Sequence, residues 1–241
     1  PLSVSCTNGE RMSEEKMAEA NSRFVRQEDF VPVNSLKEKK VTVIGVGAIG
    51  RQVALQLAAI GVRELTLIDF DSVTPTNVTT QGFHSSDVGE EKVEVVEKSV
   101  KAVDPDIKVT AICDRFRPDH VDEESKIIFL CVDSVQARSE IWDVVQEIPG
   151  LVLVDGRMLG EVMRIITVSN TQSSMYYPST LFHPSEAAKG RCTGQSTMYT
   201  ANIAGGLMVH QMTRSLRGIP LDNDMCFNLL AGEFFPMGGV C

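Results

Sequence analysis

Residues 45–71 carry the types and spacing needed to hold a nucleotide. Gly45-x-Gly47-x-x-Gly50 follows an apolar run over 41–44, and a second apolar run over 65–68 ends in Asp69, nineteen residues after Gly50. In this pattern Gly45 permits a tight turn, Gly47 lets backbone approach phosphate, and Gly50 lets helix and strand pack closely. The helix beginning near Ala48 points unpaired N–H groups at an anion. Asp69 stands where ribose hydroxyls are bound. The bland reading of the same residues is a glycine-rich turn that serves packing alone. Further polar residues follow the C-terminal ends of predicted strands, where open α/β sheets bind ligands. Asp69 and Asp71 end the second strand, Asn77 and Lys92 lie on the loop and helix start after it, and Asp133 follows an apolar run over 127–132. A carboxylate for ribose, another for Mg²⁺ and a lysine for phosphate make an ATP site. A nicotinamide site needs no metal. No Gly-x-x-x-x-Gly-Lys-Ser/Thr occurs, which excludes P-loop chemistry.

These residues need a scaffold that brings strand ends together. Strands are predicted over 41–45, 65–69, 108–112, 127–132 and 151–155, alternating with helices over 48–60, 90–103 and 135–147, with Gly61 as a helix C′ glycine and Asp104-Pro105 as a stop. The run over 127–132 is too uniformly apolar for a surface strand and reads as buried on both faces of a parallel sheet. The fold class is therefore α/β, a doubly wound, mostly parallel, Rossmann-like sheet. Residues 71–87 read as a polar loop. After residue 160 the character changes to a strand over 162–168, a polar loop over 170–192 and one long helix over 196–217. Ala201, Ala204, Gly205 and Gly206 permit close packing of that helix. Before the first strand, Ser13 can cap a helix whose apolar side carries Met17, Ala20 and Phe24. The expected organisation is an N-terminal helical arm over 1–30, its start unstructured, and one ATP-binding domain over 31–241 that ends in a C-terminal strand and long-helix extension.

Composition bounds the function. The 241 residues are 43% hydrophobic and 23% charged, an ordinary globular balance. A net charge of -9 argues against a nucleic-acid surface, which needs clustered Lys and Arg. No apolar run is long enough for a bilayer and the polar N-terminus has no signal-peptide core, so the cytoplasm is the expected location, without a membrane partner. The six cysteines form no Cys-x-x-Cys pair, which leaves neither a zinc ribbon nor a thioredoxin-type site. Cys113 and Cys131, in or beside strands, are expected to be small core residues.

The succession Gly45-Val-Gly-Ala-Ile-Gly50, Asp69-Phe-Asp71-Ser-Val, Asn77, Gln81, Asp87-Val-Gly89-x-x-Lys92 and Cys131-Val-Asp133 resembles the ubiquitin-activating-enzyme-like adenylyltransferases, the ThiF and MoeB superfamily. Arg23-Phe-Val-Arg26-Gln is similar to the Arg-aromatic-x-Arg-Gln motif that precedes the fold there. The resemblance spans roughly 23–168, with a weaker tail to about 230. It implies an enzyme that activates the C-terminal glycine carboxylate of a ubiquitin-like or sulfur-carrier protein with ATP and Mg²⁺, giving an acyl adenylate and pyrophosphate. Carried over residue by residue, it assigns Asp69 to the ribose, Asp133 to Mg²⁺, Lys92 and Asn77 to the phosphates, and Gln81 and Asp71 to the nucleotide site. Arg26 enters the site of a partner subunit as an arginine finger, which implies a homodimer. Arg138 also matches, either in the site or as a structural ion pair, and Asp133 can double as a helix N-cap.

The departures from the family pattern are specific. Arg-Gln commonly follows the asparagine, whereas this chain has Thr80-Gln81. One phosphate-binding arginine is missing, so either another residue substitutes or adenylation is slowed or lost. The zinc-binding cysteine pairs of many members are absent too. No ubiquitin-fold or rhodanese extension is expected, which reads as a minimal, stand-alone activator. Cys192, in Gly190-Arg191-Cys192-Thr193-Gly194 just before the long helix, is placed for a lowered thiol pKa. It is either an acyl acceptor or a small residue supporting the turn. Two other functional readings stay open: an NAD(P)-dependent oxidoreductase using the same glycine loop, and a catalytically impaired dimeric scaffold.

Overall fold

The computed structural model describes residues 23–27, 29–181 and 197–236. A short helix α1 (Val33–Lys37) leads into β1 (Lys40–Ile44), α2 (Ala48–Ile60) and β2 (Glu64–Ile68). Then come α3 (Pro75–Gln81), α4 (Lys92–Val103), β3 (Lys108–Ile112), β4 (Ile127–Leu130), α5 (Val135–Val145) and β5 (Val152–Leu159). The chain continues through β6 (Val162–Val168), α6 (Thr171–Tyr176), α7 (Met198–Leu216), β7 (Asp224–Asn228) and β8 (Glu233–Pro236). All eight strands join one sheet in the order β3-β2-β1-β4-β5-β6-β7-β8. Pairing is parallel from β3 to β5 and antiparallel from β5 to β8.

The parallel half is doubly wound because its strands are apolar on both faces. Val41 and Val43 of β1 and Ile127 and Phe129 of β4 enter one core; Ile44, Ile128 and Leu130 enter the other. Period-2 alternation sends neighbouring side chains to opposite faces, so β-branched and apolar residues at every position need cover on both. On the first face α2, α4 and α7 supply that cover, and Gly205 of α7 lets the helices approach until an added Cβ would stand 3.1 Å from Gln52 Cβ. On the second, Trp142 of α5 packs against the fully buried Tyr177. Gly61 ends α2 in the left-handed region, φ 100°, with its N–H donated to Ala58 and Leu57 carbonyls.

The strand order reverses between β1 and β4, which run side by side while the chain departs in opposite directions from them. That is the switch point at which the carboxyl ends of parallel strands open a crevice. Several elements differ from the sequence reading. The polar stretch 71–87 contains α3, started by Pro75 with Asn77 Oδ1 accepting the Thr74 N–H, and ended by Gly82 in the left-handed region. The expected loop after 170 begins with α6, capped by Asn170. β5 runs on to Leu159 because β6 pairs along it in a hairpin. β7 and β8, which the sequence reading did not identify, extend the sheet on the antiparallel side. Of the N-terminal arm, only 23–27, 29 and 30 are described, as turns; Ser13, Met17 and Ala20 lie outside the described residues.

Candidate active site

The glycine loop is built from the end of β1. Gly45 adopts φ 85°, and a Cβ there would meet the Cys131 carbonyl at 2.8 Å. A Cβ on Gly50 would lie 1.8 Å from the Gly45 carbonyl oxygen, so only glycine lets the first turn of α2 sit on the loop. Above Gly47 a Cβ would reach the Gln81 side chain at 3.5 Å, so Gln81 from α3 bounds the space over the loop. Gly45 and Gly50 thus have a steric need for glycine, whereas the space over Gly47 is bounded only at ordinary contact distance.

Asp69 is the loop's anchor. Its Oδ2 accepts the Val46 N–H at 2.7 Å and its Oδ1 accepts the Asp71 N–H at 2.9 Å. Burial raises its pKa, opposed by those backbone hydrogen bonds and by the nearby Lys92. Lys92 opens α4 and is only 6% exposed, with its Nζ donating to Asp71 Oδ2 at 2.8 Å. Asp71 is half exposed, and its carbonyl also accepts the Lys92 N–H at 3.0 Å. One of the three ammonium protons is thereby engaged and the others are free to meet an anion. Asn77 spends its Oδ1 on the Thr74 N–H at 2.8 Å and keeps its amide nitrogen as donor.

Asp133 follows β4 at the same end of the sheet. It is exposed and makes no hydrogen bond or ion pair among the described residues. The expected N-cap role falls instead to Ser134, whose Oγ accepts the Ala137 N–H at 3.0 Å. The Asp133 carboxylate is therefore free for a cation. Among the described residues no cluster of three or more metal-ligating side chains forms. A Mg²⁺ here would take one protein carboxylate and draw its other ligands from phosphate and water, which suits that ion.

Other expected residues are placed elsewhere. Arg138 lies in the core as a structural partner: its Nε donates to Asp155 Oδ1 at 2.8 Å and its NH2 to the Gly156 carbonyl at 3.0 Å. Arg26 is exposed on the segment whose Phe24 packs at Gly61 and whose Arg23 reaches Val103 and Asp104. Those contacts are at the C-terminal ends of α2 and α4, about 20 Å along α2 from the glycine loop. Arg26 does not join its own chain's site. Cys192 lies outside the described residues. Cys131 packs against the core as expected, but Cys113 is exposed at the end of β3, where the strand has already left the apolar cover.

One residue of this region escaped the sequence reading. Arg51, the fourth residue of α2, is 6% exposed, and its Nε is buried without a hydrogen-bond partner among the described residues. The available signal was an arginine directly after Gly50, the one charged residue in a helix that is otherwise apolar apart from Gln52 and Gln56.

Comparison with known proteins places this geometry. The chain is 31% identical over 135 residues to molybdopterin-synthase adenylyltransferase of Salmonella typhimurium, covering 54% of each chain. It is 32% identical over 111 residues to tRNA threonylcarbamoyladenosine dehydratase of Haemophilus influenzae, covering 44% of this chain and 42% of that one. The chain thus spans about half the length of the curated relatives it matches. Its fold is similar to that of Escherichia coli MccB crystallised with ATP, with a TM-score of 0.65 at 19% identity, over 84% of this chain and 64% of the other. No helix among the described residues is long and apolar enough to cross a membrane. The ThiF family model matches residues 19–234, and the chain belongs to the ThiF family.

Proposed function

We propose that this protein is an ATP- and Mg²⁺-dependent adenylyltransferase acting on the C-terminal glycine carboxylate of a ubiquitin-like or sulfur-carrier protein. The observation that carries this reading is Lys92, a nearly buried ammonium held by Asp71 beside Asp69 and the glycine loop. A nearly buried ammonium there supplies a fixed point charge to a polyphosphate. Attack of a carboxylate on the α-phosphate joins two anions: the carboxylate oxygen bonds to phosphorus, the bond to the bridging oxygen breaks, and pyrophosphate departs with its electrons. Fixed positive charge where negative charge accumulates is what this step requires, and no protein nucleophile takes part. In this reading Asp69 receives the ribose, Lys92 and the Asn77 amide face the phosphates, and Asp133 holds Mg²⁺, which neutralises phosphate charge when bound. The relatives named adenylyltransferases support the activity, and the family membership supports a homodimer in which Arg26 completes the partner's site.

Pyrophosphate exchange with a small carrier protein ending in glycine tests this directly. Asp133→Ala and Arg26→Ala subunits are each expected to be inactive, and mixing them is expected to restore activity in heterodimers, where one site keeps both residues. A mixture as inactive as either parent, with subunit exchange demonstrated, contradicts the composite site. A second reading, a nucleotide-binding scaffold without turnover, is favoured by Thr80: its hydroxyl donates to the Thr76 carbonyl at 2.8 Å and offers no charge to a phosphate. ATP binding without exchange would establish that reading.

A further inference from the structure

Arg51 stands in a place where an arginine is costly. Cations near a helix N-terminus oppose the helix dipole, and burial of a guanidinium is unfavourable unless it is paired and hydrogen-bonded. No carboxylate lies within ion-pair distance of it among the described residues, and its Nε has no acceptor. Burial lowers its pKa, partly offset by the more distant Asp87. The Asp87 carboxylate is itself engaged by the His84 N–H at 2.7 Å. The contact the guanidinium does make is with the Phe83 ring, its Cζ 5.4 Å from the centroid.

Its position relates it to the glycine loop. The Arg51 N–H donates to the Gly47 carbonyl at 3.1 Å, so residues 47 and 51 share one face of α2, and helical side chains lean toward the N-terminus. That face looks at the C-terminal end of α3: Gln81 lies over Gly47, and Arg51 NH1 lies 3.2 Å from where a Cβ on Gly82 would stand. Gln81 Oε1 is also buried without a partner among the described residues. Thr80, where the family pattern has arginine, is the neighbouring residue of α3. The orphaned cation and the missing cation therefore belong to the same junction.

We propose that Arg51 supplies from α2 the phosphate-binding positive charge that Thr80 does not supply from α3, its guanidinium contacting the polyphosphate of the nucleotide. This rests on the adenylyltransferase reading of the site. An anion provides what the local structure withholds: a counter-charge for the buried guanidinium and acceptors for its N–H groups, in charge-assisted bonds of the strong class.

Equilibrium dialysis of the full chain with ATP and Mg²⁺, and separately with adenosine, tests the assignment on wild type, Arg51→Met and Arg51→Met/Thr80→Arg. The expected result is about a ten- to hundredfold loss of ATP affinity in Arg51→Met. Adenosine binding should be unchanged, the melting temperature should not fall, and most ATP affinity should return in the double variant. Unaltered ATP affinity in a folded Arg51→Met protein overturns the inference. So does an equal loss of ATP and adenosine binding together with a lowered melting temperature, since that describes a packing residue. If Arg51→Met does not fold, Arg51→Gln decides: a loss of ATP affinity of about tenfold or more with adenosine unaffected supports the inference, whereas unaltered ATP affinity or a parallel loss of both ligands overturns it. Failure of wild type to bind ATP at all removes the adenylyltransferase reading as well, so the two failures are distinguishable.

Discussion

Two arginines in this molecule are equally hidden from solvent and opposite in every other respect. Arg138, 4% exposed, shares Asp155 with Arg157 and the Tyr177 hydroxyl, at 2.8, 2.8 and 3.0 Å. Burial alone would push the Asp155 carboxyl up, but the two guanidiniums outweigh it and hold the group below the ordinary carboxylate range. Arg157 closes the cluster by donating to the Thr180 carbonyl and hydroxyl. Arg51, 6% exposed, has no counter-ion and no acceptor for its Nε among the described residues. The closed cluster ties β5 to α5 and to the turn after α6; the open one lies against Gly82 and Phe83 at the end of α3. A buried charge whose partners are all present is explained by the fold. One whose partners are missing is explained by a ligand.

This contrast can be broken at four points. The largest expected effect is Asp155→Ala, which strands two guanidiniums in the core and should cost about 3–5 kcal/mol in urea unfolding. A cost below about 1 kcal/mol would mean the cluster is not the internal brace described. At the other region, Lys92→Ala should reduce pyrophosphate exchange by about 10²–10³-fold while changing unfolding free energy by about 1 kcal/mol or less, because Asp71 is half exposed and can be solvated. Comparable losses in both quantities would make Lys92 structural.

Acid sharpens the comparison, because the buried Asp155 and the partly buried Asp69 shift in opposite directions. The folded pKa of Asp155 is depressed, so its contribution is present above the unfolded value of about 3.9 and is lost as pH falls through the lower folded value. The stability gap between wild type and Asp155→Asn should therefore close below about pH 4. Asp69 has a raised folded pKa, so its ionised form detracts from stability above that value, and the cost disappears on acidification. Relative to Asp69→Asn, wild type should gain stability as pH falls toward about 4; parallel pH profiles for the two pairs would contradict the assignment. The smallest effect is the stability of Arg51→Met, expected to rise by about 1 kcal/mol as an uncompensated buried charge is removed.

The parallel half of the fold was legible in the sequence because its strands are short apolar, largely β-branched runs, and α2 and α4 are bounded by Gly61 and Pro105. β7 and β8 were not, since Asp224–Asn228 and Glu233–Pro236 mix polar and apolar residues, and β7 owes its place to pairing with β6 and β8 to pairing with β7. The helix α3 was hidden in a threonine-rich stretch whose low propensity is overcome by a proline start and by Asn77 Oδ1 on the Thr74 N–H. Within the site, residues fixed by a spacing rule (Gly45, Gly50, Asp69) were readable. The pairing of Lys92 with Asp71 depends on how α4 is set against β2 and has no sequence signature. Arg51 was invisible for a different reason: its meaning lies in the partners it lacks.

The measurement closest to the central claim is a calorimetric titration of Mg²⁺–ATP into wild type and Lys92→Ala, with NAD as the control ligand. The account predicts saturable ATP binding to wild type, at least tenfold weaker binding to Lys92→Ala, and no binding of NAD. Binding of NAD in preference to ATP, or ATP affinity indifferent to Lys92, would contradict it.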